Sequence, residues 1–284
     1  MIVGAVIVRR QVLDKKSSSG DAPSSSTAAP ATGDIVCTPD LIEACRSAGL
    51  GAREMTVVDV LASSAPPSYL VAVDPVGAML VDRLRPAKSA SAPVASSPLV
   101  VAGPDERLKV LEAACPGVAA KCLAAKAGVP WSEVPGASTA WGTIDVQTRD
   151  AARFSDGLFA FAALASGLVE PEALSTATLA SAASRAGEVK KAGKNRTDPI
   201  TDPLAIRFRL VVAAQAAIGK AVAARPIGAA VAVVSVTAFG PTVSEATVKA
   251  LTTALGNRGW SAGVAPSGPD AIAGEAALDF WKRT

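Results

Sequence analysis

Histidine is missing from the whole chain. That rules out a Ser-His-Asp triad and any His-ligated zinc or iron site, and it removes the commonest general base at neutral pH. Aromatic residues are scarce, at 4% of the 284 positions. Alanine, valine and leucine therefore have to fill the interior, and runs such as 159–164 and 213–224 suit closely packed helices. Charge of one sign is lacking too, since the net value is only +3. A balance this weak does not argue for nucleic acid as a partner. The densest basic cluster, Lys190, Lys191, Lys194 and Arg196, reads as a solvated loop.

Nucleotide motifs also fail. Gly49-Leu50-Gly51 is followed by Glu54 where a dinucleotide fingerprint needs glycine, and Gly193-Lys194 and Gly219-Lys220 lack the earlier glycine of a phosphate loop. No cofactor is expected, and no metal. The four cysteines fall into two local pairs, Cys37 with Cys45 and Cys115 with Cys122, without the C-x2-C spacing of a zinc site. Buried thiols would fit this spacing. Two short-range disulfides fit it better, and they would place the chain outside the cytosol.

What the chain has in plenty is apolar mass: half of it is hydrophobic, enough for a large core shared between two lobes. Met1–Val8 is apolar but far shorter than the roughly 20 residues that span a bilayer. The Ser/Ala/Pro/Gly stretch 17–32 reads as a flexible tether. Together, residues 1–33 read as the end of a membrane anchor followed by a tether; an ordinary first strand competes with that reading.

Beyond Asp34 the pattern alternates strand and helix, which argues for a parallel, doubly wound sheet. Ile35-Val36-Cys37 reads as a buried strand. Thr38 reads as an N-cap with Pro39 at the first helical position, and the helix ends at Gly49. Strands are expected at 55–60 and 69–73, then a helix over 76–84. Ser89–Ser97 reads as loose and polar before the strand 98–102. A helix over 104–114, a strand at 144–146 and a helix from Ser155 through Leu168 follow. The strand 230–236 and the helix 242–255 complete the pattern.

Four stretches resemble extracytoplasmic solute-binding proteins of the type II periplasmic binding fold. They are Ile35-Val36-Cys37-Thr38-Pro39-Asp40-Leu41, Tyr69-Leu70-Val71-Ala72-Val73-Asp74-Pro75, Ser97-Pro98-Leu99-Val100-Val101-Ala102, and Trp141-Gly142-Thr143-Ile144 with Ser155-Asp156-Gly157-Leu158. The subgroup most similar is the module preceding von Willebrand A domains in actinobacterial envelope proteins; the tail 266–281 is similar to the linker found there. The resemblance implies a two-lobed α/β fold. One lobe would comprise 34–96 with 235–284, and the other 97–234. It also implies a small ligand between the lobes, with a membrane permease or an attached domain as a further partner.

Ligands of doubly wound folds bind beyond the carboxyl ends of the strands, where helix starts offer unpaired N–H groups. The candidate ligand-binding residues are accordingly Thr38, Asp74, Ser155, Asp156 and Gln215. Thr38 and Ser155 would line one cleft from opposite walls, although capping alone would explain either. Asp74 would orient an amine or hydroxyl, or would serve only its turn. Asp156 would repel an anion. Gln215 keeps one residue of a glutamate-glutamine-glutamine run that many relatives carry. A binding module is thus expected rather than an enzyme. The alternative is an envelope interaction module that takes no small ligand.

Overall fold

A computed structural model of the chain describes residues 33–166, 208–213, 223–262 and 268–283. Strands β1 (Ile35–Cys37), β2 (Arg53–Glu54), β3 (Tyr69–Val73), β4 (Ala90–Gly103), β5 (Val146–Gln147), β6 (Phe208–Val212) and β7 (Ala223–Ala238) form one sheet in the order β2-β1-β3-β7-β4-β6-β5. Strands β2, β1 and β3 are mutually parallel, and β3 lies antiparallel to the second part of β7, from Val234 to Ala238. At the other end β5 and β6 are parallel, and β6 pairs antiparallel with Leu99–Ala102 of β4.

The long strands β4 and β7 therefore run through both halves. Their ladder slips register between Pro93 and Ala95 and again between Pro98 and Val100. Proline cannot donate to a ladder, so a bulge beside each one is where it fits, and bulges bend the strands. The result is an α/β protein with one mixed sheet, whose two half-sheets are joined along the shared strands β4 and β7.

The α-helices among the described residues are α1 (Ile42–Ser47), α2 (Val57–Ala62), α3 (Val76–Leu84), α4 (Asp105–Ala114), α5 (Ala120–Lys126), α6 (Ser155–Ser166), α7 (Glu245–Gly256) and α8 (Ala271–Arg283). Helix α6 carries an almost unbroken apolar run and is buried from Ser155 to Ala165. A helix hydrophobic all round belongs in a core. It packs against α5, α8, β6 and the end of β3. Phe161 of α6 meets Trp281 edge-on at 4.9 Å and stacks on Phe280 at 6.2 Å. Helix α8 also lies on α3, where Gly274 comes so close to Pro75 that a Cβ there would sit 2.6 Å from its ring. Among the described residues one large core results, with Val100 and Ala102 in a small separate cluster.

Four expectations are corrected. The segment 55–60 is not a strand: Thr56 accepts a bond from the Asp59 amide and caps α2. The stretch 89–97 is not loose, since most of it is the first part of β4, paired with β7. The tail 266–281 is no linker where it is described; from Ala271 it is helix α8, and its apolar face is buried. Thr38 does not cap a helix, because α1 begins four residues later. Both cysteine pairs are within bonding distance and form disulfides, Cys37–Cys45 and Cys115–Cys122. Residues 1–32, with the anchor and tether, lie outside the described residues, as do the basic loop and Gln215. No helix among the described residues is long and apolar enough to cross a membrane.

Candidate functional site

The two strand-to-helix turns that carry Thr38 and Ser155 meet at the junction of the halves. Strand β1 is pinned to α1 by Cys37–Cys45, whose members stand 8 positions apart, so the disulfide encloses both Thr38 and Asp40. Across the junction, α6 starts at Ser155 and faces the end of β3. The Thr38 and Ser155 hydroxyls lie 2.9 Å apart and are fully buried. Ser155 Oγ also accepts the Val73 amide at 2.9 Å and donates to Asp40 Oδ2 at 2.6 Å.

Asp40 completes the cluster. Its carboxylate accepts the amides of Ser155 and Asp156, each at 3.1 Å. These are unpaired N–H groups at the positive end of α6, so a carboxylate is well placed there. The residue before the helix, Phe154, has no capping group, and the cap comes from 115 positions away. Backbone contacts add to it. The Val57 and Val58 amides at the start of α2 donate to the carbonyls of Arg153 and Ala152 at 3.2 and 3.0 Å.

Asp156 is buried and pairs with Arg149 at 3.1 Å. Burial pushes its carboxyl up to about 7; Arg149 opposes that shift, and the nearby Asp40 charge adds to it. The Arg149 guanidinium lies 3.7 Å over the Phe154 ring. Gly157 has no room for a side chain, because a Cβ would stand 2.8 Å from the Arg149 carbonyl oxygen. Asp74 follows the end of β3 and accepts the Ser235 hydroxyl at 2.8 Å. Burial raises its carboxyl above the ordinary range, and the Ser235 bond opposes the shift. Asp150, in the loop before α6, accepts the Trp281 indole N–H at 2.8 Å.

Four of the sequence-predicted residues, Thr38, Asp74, Ser155 and Asp156, therefore lie at or beside one junction. The hydroxyls do not line an open wall; they bond to each other. Asp40 was missed. Its signal was the short Thr38-Pro39-Asp40 turn, which reads locally as a helix start. Trp131 and Trp141 meet edge-on at 5.2 Å, with Arg107 over the Trp141 ring, so they serve packing. A surface cavity of about 390 Å³ lies elsewhere, lined by Ser47, Ala250, Thr253, Ala254, Asn257 and Arg258, and includes none of the predicted residues.

No family model and no curated protein matches the sequence. Among solved structures, the chain is similar to a reduced form of OxyR from N. meningitidis, at 12% identity and a TM-score of 0.45, over 82% of this chain and 98% of that one. It is also similar to an ABC-type phosphate transport receptor from Vibrio cholerae, at 11% identity and a TM-score of 0.43, over 81% and 100%. Likenesses this distant carry no weight for function, which has to be read from the junction itself.

Proposed function

We propose that this chain is an extracytoplasmic binding module, not an enzyme, that holds a small ligand between its two halves, tethered to the membrane by its N-terminal segment. One observation carries the reading: the end of β3, the turn after β1 and the start of α6 converge on a single polar cluster at the junction. In a doubly wound fold this is where ligands bind. The two disulfides support an oxidising location.

The cluster also states a preference. Asp40 supplies its carboxylate, and beside it the Asp74 carboxyl bonds Ser235 and the Asp156 carboxyl pairs with Arg149. Such a seat favours a ligand rich in hydrogen-bond donors, an amine or a polyol, over an oxyanion. Histidine, the commonest general base at neutral pH, is absent from the sequence. A permease or an attached domain would receive the signal of closure.

A thermal-shift screen of amines, amino acids, polyols and oxyanions at millimolar concentration tests this. A bound solute raises the melting temperature by mass action. The expected result is a donor-rich hit whose effect is lost in Asp74→Asn. A panel with no hit, or turnover of a panel member, would contradict the reading.

A second reading has its own support. The Thr38 and Ser155 hydroxyls are already committed to each other. That suits an envelope interaction module with a junction that stays shut, and an empty screen would favour it.

A further inference from the structure

We infer that Asp40 is a latch: its carboxylate holds the two halves closed in the absence of ligand and has to leave the start of α6 before the junction can open. The inference rests on reading that junction as a cleft.

A helix start is ordinarily capped by the residue just before it, and such a cap survives any movement of the helix as a body. Here the cap belongs to the other half of the molecule. It accepts two backbone N–H bonds and the Ser155 hydroxyl bond as well. Capping of α6 is thereby tied to closure, which is what a latch requires. The Val57 and Val58 amides are tied in the same way, because their acceptors, the Arg153 and Ala152 carbonyls, lie across the junction.

The hydrogen-bonding groups released on opening are N–H donors, hydroxyls and a carboxylate, all of which water can satisfy. Asp40 is also half-buried while Thr38 and Ser155 are fully buried. Water reaches the latch before it reaches the hydroxyl pair. The Cys37–Cys45 ring fixes the turn from which Asp40 projects, so the latch closes in one place.

Hydrogen exchange of the full-length, ligand-free chain tests the latch without any ligand. The comparison is wild type, Asp40→Asn, Asp40→Ala and the exposed control Asp82→Asn on α3. Asp40→Ala should speed exchange at least tenfold in segments 56–60 and 155–158 together. Asp40→Asn should do so in part, and the β3 and β7 amides other than Val73, which donates to Ser155 Oγ, should keep their wild-type rates. Should Asp40→Ala fail to fold, Asp40→Asn decides on the same readout. Unchanged rates in the two segments, or faster exchange throughout the sheet, would overturn the latch. An empty solute screen would instead sink the binding proposal and leave this result standing.

Discussion

The turn after β1 and the turn before α6 look alike in sequence. Each has a hydroxyl residue with an aspartate close behind it, Thr38 with Asp40 and Ser155 with Asp156. In the structure they play opposite parts. The first gives: Thr38 offers its hydroxyl and Asp40 its carboxylate across the junction. The second receives the cap: the Ser155 and Asp156 amides donate to the Asp40 carboxylate, and the Asp156 side chain turns away to Arg149. The difference follows from helix length and position. Helix α1 is a six-residue stub at the edge of its half and needs no outside cap, whereas α6 is long, buried and starts at the seam. Similar local chemistry thus becomes complementary once the fold sets two turns face to face.

Substitutions on the two sides should expose this asymmetry. The largest effect is expected from Ser155→Ala, which strips partners from Thr38 and Asp40 and leaves the buried Val73 N–H unsatisfied; a loss of about 3 kcal/mol follows from such orphaned groups. Urea unfolding would measure it. Next comes removal of the ring around the giving turn: Cys37→Ser with Cys45→Ser should cost about 2–3 kcal/mol for a loop this short.

The receiving side has a pH signature. The Asp156 carboxyl titrates near 7 when folded and near 4 when unfolded. Below about pH 4 it is protonated in both states and has no effect. Between the two values the unfolded chain releases the proton and the folded one keeps it, so stability falls as pH rises, by about 2 kcal/mol from pH 5 to 7. Asp156→Asn should flatten that slope in unfolding curves taken at pH 5, 6, 7 and 8. The smallest effect belongs to Thr38→Val, at about 1 kcal/mol, because Ser155 keeps its other partners. If Thr38→Val proved more costly than Ser155→Ala, the giving and receiving roles would be reversed.

Sequence reasoning went furthest where pattern and local chemistry agree. Strand β3 and helix α3 fall at the positions that their apolar run and the Asp74-Pro75 break predict. It failed where a distant partner decides. The run Val57-Val58-Asp59-Val60 reads as strand because β-branched residues favour sheets, yet Thr56 and Asp59 three apart were the overriding helix-start signal. The Ser/Ala/Pro composition of 89–97 looks unstructured until β7 supplies the pairing. In the tail, Ala276, Ala277, Phe280 and Trp281 already show helical spacing, but their face gains meaning only against α6 and α3. The resemblance set Thr38 and Ser155 on opposite walls of one cleft, and their direct hydrogen bond was not part of that expectation. Asp40 was not legible, since no local pattern reveals a cap lent from 115 positions away.

A double-mutant cycle of Asp40→Ala with Ser155→Ala, read by urea unfolding, bears most directly on the claim that the two turns hold the halves together. Residues in one hydrogen-bond network couple, while separated sites add within about 0.5 kcal/mol. The predicted coupling is about 1 kcal/mol or more, with the double variant less destabilised than the sum of the single ones. Additive losses would show that the carboxylate and the helix start do not meet in solution.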